Sequence, residues 1–163
     1  MITFLAYPDF VKSADCLDWQ FRMNRLDNQI NEAIVVTQTL LGERAKNNHP
    51  VFLMWENYEL TLVDYAWANL YAWECKKRRI DTRRIELNRL QQLAVEKDTA
   101  SNKPFWLGDE RLHSSHRAIL LGKNYDWYKQ FTWSEEPAVR GSDLKWPYFW
   151  PVTREKENAK IDN

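Results

Sequence analysis

The sequence predicts an all-α, single-domain protein, and two features carry that prediction. Glycine (4) and proline (6) are scarce for a chain of 163 residues, which favours long regular elements over a turn-rich β fold. Apolar residues also recur at intervals of three to five over long stretches, the period of one helical face. The length suits one domain with a sizeable core. Its expected bounds are residues 1–153, with a charged tail over 154–163 expected to fray.

Each element has its own signal. Ile2 to Tyr7 are apolar and end at Pro8, predicting a short extended entry segment packed on the core. Ser13 is suited to cap a helix reaching about Leu41, with Gly42 as its stop. Leu17, Phe21, Leu26, Ile30, Ile34, Thr37 and Leu41 would form its inner face. Gly42 to Asn48 is a polar loop. Pro50 fits the first turn of a second helix, where a missing N–H costs nothing. From Phe52 and Leu53 through Trp55, Leu60, Leu62, Val63, Ala66, Trp67, Leu70 and Tyr71 the helical period runs on to Cys75. Those side chains cover so much of the circumference that this helix should be the central one. A third helix is expected from about Thr82 to Val95, with Ile85, Leu87, Leu90 and Leu93 inward. Asp109 is placed to cap a fourth helix ending at Gly122, with Leu112, Ser115 and Ile119 inward and His116 beside them. A short aromatic helix covers Tyr125 to Phe131, and Ser134 to Lys145 is loop. The run Trp146-Pro147-Tyr148-Phe149-Trp150-Pro151 must be extended, because each proline forces extended backbone before it.

Composition narrows the function classes. Basic and acidic residues balance at 23 each, so no global field attracts a polyanion, and any nucleic-acid binding needs a local patch. Nine Trp, seven Tyr and seven Phe exceed the needs of a core and leave rings free to stack on a base. Cys16 and Cys75 have neither metal-ligand spacing nor a disulfide pattern, which points to a reduced, cytosolic setting. No apolar run approaches the ~18 residues of a membrane span, and no signal peptide is evident. Phosphate-loop, dinucleotide, nucleophile-elbow and HExxH motifs do not occur.

The candidate chemistry lies in four places. All three histidines fall in two motifs, Asn48-His49-Pro50 and the stretch Trp106-Leu107-Gly108-Asp109 to His113-Ser114-Ser115-His116-Arg117. His113 and His116, at i and i+3, could converge on a metal with Asp109 or His49; Arg117 beside them favours an anion equally well. In the first helix, Arg25, Asn28 or Gln29, and Glu32 share one face. Glu32 there is either a general acid/base kept ionised by Arg25 or part of a solvated face. Lys76 to Arg89 holds seven basic residues against two acidic ones, which suits phosphate contacts or the dipole at a helix C-terminus. The fourth candidate is the N-terminal amine. Its pKa of roughly 8 leaves a neutral, nucleophilic fraction at physiological pH. Ile2 is bulky, so Met1 is expected to be retained.

These segments together resemble a family. Met1-Ile2-Thr3-Phe4-Leu5-Ala6-Tyr7-Pro8-Asp9-Phe10, Leu17-Asp18-Trp19, Arg25-Leu26, Asn28-Gln29 and Glu32-Ala33 resemble the start of a bacterial and phage branch related to the pyrimidine-dimer DNA glycosylases of the phage endonuclease V type. The likeness continues through Asn48-His49-Pro50, Met54-Trp55, Tyr58-Glu59 and Tyr65. It returns at Trp106-Leu107-Gly108-Asp109, His113, Ser115-His116-Arg117 and Trp150-Pro151.

The resemblance implies a small, all-helical, metal-independent enzyme without a cofactor. An N-terminal amine would attack C1′ of the damaged nucleotide, displace the base, and leave an imine whose β-elimination nicks the strand. Carried over, Met1 supplies the amine, Glu32 the acid/base, and Arg25 holds phosphate or orients Glu32. Asn28, Gln29, His49, His113, His116 and Arg117 would face DNA, and Trp146 and Trp150 would lean on the duplex. The implied partner is double-stranded DNA with damaged or modified pyrimidines, met by a monomer in the cytoplasm of a bacterium or a phage-infected cell. About four extra residues near Gln20 to Met23 depart from the family pattern, which leaves Asp18 and Glu56 as alternative carboxylates. Two other functions stay open: a metal-dependent nuclease or hydrolase built on the His/Asp cluster, and a non-catalytic DNA-binding homologue.

Overall fold

A computed structural model describes residues 2–20, 24–46, 48–97 and 103–152. Among these the chain forms seven α-helices and one 3₁₀ turn, and no strand. The helices are α1 (Phe10–Cys16), α2 (Arg25–Leu40), α3 (Pro50–Trp55), α4 (Glu59–Lys77), α5 (Arg83–Glu96), α6 (Glu110–Lys123) and α7 (Tyr125–Tyr128), with the 3₁₀ turn at Lys129–Phe131. The all-α expectation holds. Met1, Phe21 and the tail over 154–163 lie outside the described residues. None of the described helices is long and apolar enough to cross a membrane.

The expected first helix is two helices. Asp9, not Ser13, caps α1, its carboxylate accepting from the Lys12 amide at 2.8 Å. Ser13 instead ties down the entry segment, its hydroxyl bonding both the amide and the carbonyl of Tyr7. The backbone turns extended at Leu17. Asn24 then caps α2 by accepting from Asp27 N–H. The apolar stripe survived this break because Leu17, Leu26, Ile30, Ile34, Thr37 and Leu41 are all buried in one core.

The expected second helix is also interrupted. Asn57 adopts a left-handed conformation (φ 68°) between α3 and α4, which asparagine tolerates better than most residues. Helix α4 is the hub, packing on α1, α2 and α5; it buries Leu62, Val63, Tyr65, Ala66 and Leu70 completely, while Tyr71 faces solvent. Helices α5 and α6 begin within a residue of expectation, and Asp109 caps α6 by accepting from Arg111 N–H. Leu87 and Leu90 point inward as expected, but Ile85 is 76% exposed. Ile85 thus faces away from α4, while its neighbour Arg84 pairs with Glu74 of that helix.

What positions the site is the entry segment. Residues 2–6 are buried and extended with no strand partner, and an orphaned backbone amide or carbonyl there would be costly. Side chains from four helices supply the missing bonds. Glu32 accepts from Ile2 N–H, Gln29 from Phe4 N–H, and His116 Nδ1 from Leu5 N–H. Tyr65 O–H donates to Phe4 O, His113 Nδ1–H to Leu5 O, and Arg117 to Ala6 O. Trp55 Nε1 adds a 2.8 Å bond to the Thr3 hydroxyl. The segment is laced to the bundle as a strand is laced to a sheet, but by side chains.

Candidate active site

Glu32 lies on α2 two turns beyond Arg25, and Arg25, Asn28, Gln29 and Glu32 all line one cavity of about 710 Å³. The entry segment contributes Ile2 and Phe4 to its walls, the start of α3 His49 and Pro50, and the last residue of α6 Lys123. The aromatic C-terminal segment adds Arg140, Leu144, Lys145, Trp146, Tyr148 and Trp150. Four basic side chains and a single carboxylate line the cavity; Arg25 pairs with Asp18 and Lys145 with Asp143, so its local positive charge comes chiefly from Lys123 and Arg140.

The half-buried Glu32 carboxylate accepts from the Ile2 amide at 2.5 Å. Burial raises its pKa above the ordinary glutamate value; the Ile2 amide and the Lys123 charge pull the other way. A carboxyl whose pKa is raised by burial holds a proton more readily than an ordinary glutamate, as a general acid/base must. Arg25 does not touch Glu32. Its guanidinium pairs with Asp18, which is fully buried and also accepts from Asn124 (3.0 Å) and the Tyr128 hydroxyl (3.2 Å). The alternative carboxylates are corrected by these contacts: Asp18 is saturated beneath Arg25, and Glu56 pairs with Lys46 at the surface.

His49 is half-buried at the cavity wall. Its Nδ1 accepts from Val51 N–H to cap α3, and its ring meets Trp150 edge-on at 5.6 Å. Burial lowers its pKa below the ordinary histidine value. Trp146 is held between Lys123 (4.7 Å from the ring centroid) and Arg140 (5.1 Å). Asn28 is exposed on the rim.

Several expectations about DNA-facing residues need correction. His113 and His116 are fully buried, and Arg117 is 9% exposed. Both rings of the histidine pair are turned onto Leu5, and His113 Nε2 accepts from Gly108 N–H. Arg117 is spent on Ala6, Glu110 and Glu135. All three anchor the entry segment rather than a ligand. Gln29 lines the cavity, but its oxygen accepts from Phe4 N–H at 2.7 Å and lies 2.7 Å from the Tyr65 hydroxyl oxygen.

The proposed metal cluster does not assemble: among the described residues no group of three or more His, Cys, Asp and Glu side chains could hold a metal ion. Asp109 is occupied as the α6 cap and as the partner of Arg111. Nor is the basic stretch free for phosphate along its length. Arg83 pairs with Asp27 and Asp81, Arg84 with Glu74, and Arg89 with Glu43 and Glu86.

Four cavity residues, Lys123, Arg140, Lys145 and Tyr148, carry no individual signal in the sequence. Lys123 follows the expected end of the fourth helix, Arg140 and Lys145 lie in the 134–145 loop, and Tyr148 is one ring of an aromatic run. Gly122 helps bring them together. A Cβ there would lie 2.1 Å from Ala138 O and 2.9 Å from Trp146, so only glycine lets the 138–146 segment press against the end of α6. The Ala138 N–H bond to Ala118 O (2.8 Å) fastens it.

An all-helical scaffold with a half-buried carboxylate, ringed by cations and aromatic faces, defines a site for a flat, anionic ligand. The model of the pyrimidine dimer DNA glycosylase family matches residues 1–86, and the chain belongs to that family. It is thereby a DNA glycosylase whose family acts on damaged DNA. The matched region holds Arg25, Asn28, Gln29, Glu32 and His49; Lys123, Arg140 and the aromatic wall come from the rest of the chain. Neither a curated protein nor a solved structure matches the chain.

Proposed function

We propose that the protein removes a damaged or modified pyrimidine from duplex DNA and then cleaves at the resulting abasic site, with the N-terminal amine as nucleophile and Glu32 as acid/base. The observation that carries this is the Ile2 N–H bond to Glu32 at 2.5 Å. The amine of Met1 is three covalent bonds from that nitrogen, so covalent geometry alone keeps it within about 4 Å of Ile2 N. That proximity supports a reading in which the N-terminal amine and a carboxyl of raised pKa act on one substrate. The neutral amine attacks C1′ as the glycosidic bond breaks, and the proton it sheds passes to the leaving base; the C1′–O4′ bond then opens, O4′ takes up a proton, and C1′ and the amine nitrogen are left joined as an iminium. The iminium at C1′ then acidifies the 2′ proton, Glu32 carboxylate accepts it, and the C3′–O bond breaks with the 3′ phosphate as leaving group.

The remaining cavity residues suit the substrate. Lys123, Arg140 and Lys145 can contact phosphates, which position a duplex without reading its sequence. Trp146, Trp150 and Tyr148 offer rings to an extruded base, since enzymes that act on a base must take it out of the stack. Nothing in this chemistry requires a second copy of the chain, and we assign the action to a monomer in the cytoplasm.

The test is a duplex carrying one thymine dimer, incubated with the protein in EDTA and then reduced with borohydride. A dimer-dependent protein–DNA adduct on the N-terminal peptide is the expected result. Glu32→Gln should lower turnover by about 10²–10⁴-fold, the usual worth of a positioned acid/base. Full activity of Glu32→Gln, or dimer cleavage with no trapped adduct, would refute the assignment.

A further inference from the structure

We propose that Lys123 is a second imine-forming amine of this cavity, one that takes the ring-opened aldehyde of an abasic deoxyribose already present in DNA. The inference rests on the cavity being a DNA-lesion site, and it adds a second nucleophile to the abasic-site chemistry proposed above.

The placement is specific. Lys123 is the last residue of α6, and its half-buried side chain lines the same cavity as Glu32. Its Nζ lies 4.7 Å from the centroid of Trp146 and 6.0 Å from that of Phe4. Phe4 is two residues from the Ile2 amide that Glu32 holds. Burial against these rings, with the nearby charges of Arg25 and Arg140, lowers the Lys123 pKa to about 8; Glu32 opposes the shift. Desolvation and a neighbouring cation are the established ways to make a lysine amine nucleophilic. At pH 7 roughly a tenth of such a group is neutral, about 300 times the fraction for an ordinary lysine. Arg25 and Arg140 cannot take this part, because a guanidinium does not deprotonate. Lys145 is exposed and pairs with Asp143. A purely structural lysine at a helix C-terminus would offset the dipole from water, and would not need to be wedged between two rings facing a carboxylate.

The step balances within the site. The neutral Nζ attacks C1′ of the aldehyde, and the carbinolamine loses its oxygen as water, leaving a protonated imine. Glu32 carboxylate takes a 2′ proton, the electron pair forms the C2′–C3′ double bond, and the C3′–O bond breaks to release the phosphate. Water then hydrolyses the imine and regenerates the amine. Borohydride intercepts the imine by adding hydride at C1′.

The experiment uses the full chain and a duplex with a single abasic site, with borohydride trapping followed by tryptic peptide mass mapping. An adduct on Lys123 blocks cleavage there and appears on the peptide spanning residues 118–129. That peptide should carry the sugar, and Lys123→Met should lower the rate of abasic-site trapping by about tenfold or more. Lys123→Arg, which keeps the charge but cannot form an imine, should trap the abasic duplex about tenfold or more slowly than the parent at DNA concentrations that saturate both proteins. Adduct confined to the N-terminal peptide, with Lys123→Arg trapping at the parental rate, overturns the proposal while leaving the N-terminal nucleophile intact. No adduct on any peptide, from either the abasic or the dimer duplex, overturns both.

Discussion

Replacing His116 by asparagine should abolish one source of acid sensitivity in this fold. The buried ring accepts a hydrogen bond from Leu5 N–H at Nδ1, so it must be neutral to hold the entry segment. Burial, reinforced by His113, lowers its pKa from 6.5 to about 3. Between those values the unfolded chain binds a proton that the folded chain refuses. Stability therefore falls as pH falls, and is regained above the unfolded pKa. Integrated from pH 7 down to pH 5, the loss attributable to His116 is about 2 kcal/mol, a large share of a typical total of roughly 5–15 kcal/mol. Glu32 works in the opposite direction, because its raised pKa favours the folded state as the carboxyl protonates. Total stability alone is therefore not diagnostic. Comparing the parent with His116→Asn removes the shared contributions, and the asparagine oxygen can still accept from Leu5 N–H. Urea unfolding of both proteins at pH 7 and pH 5 is the assay. The parent should lose about 2 kcal/mol more than the variant over that interval. An equal loss in the two proteins would show that His116 takes up a proton in the folded state, and the anchoring argument would fail.

Two further substitutions probe the walls of the site. Asp18→Ala strips the counter-ion from Arg25, which is 8% exposed, and removes the acceptor for Asn124 and Tyr128. Breaking a buried pair on one side costs about 3–5 kcal/mol, so thermal melting should drop by roughly 10 °C; a shift under about 2 °C would argue that Arg25 reaches water instead. Gly122→Ala puts a methyl group into Ala138 O and Trp146. The 138–146 segment must then move, costing about 1–3 kcal/mol, and tryptophan fluorescence should change with it. Unchanged stability and emission together would mean the segment is not pressed on α6.

How far the sequence reaches is clearest at α2 and α6. The spacing of Arg25, Asn28, Gln29 and Glu32 placed them on one face, and they do line one cavity. The spacing of His113 and His116 likewise put both on one face of α6. It could not say what that face meets, and the answer is the backbone of Leu5, more than a hundred residues away in the chain. A histidine written as a metal ligand or DNA contact and a histidine that splints a buried extended segment have the same local signature. The breaks after α1 and after α3 were missed for a related reason. Hydrophobic period reports which residues are buried in the shared core, and it runs on across a turn when both helices pack on that core.

By itself the sequence determined the all-helical class, the extended entry segment, the α5 and α6 boundaries and the family, because these follow from local periodicity, capping chemistry and contiguous motifs. Only the tertiary structure decided which charges are free. Arg83, Arg84, Arg89 and Arg117 look available in the sequence and are neutralised by carboxylates from elsewhere, while Lys123 and Arg140, unremarkable in the sequence, meet over Trp146 at the cavity. Electrostatic partnership acts through space over a few ångströms, and only folding sets those distances for residues far apart along the chain.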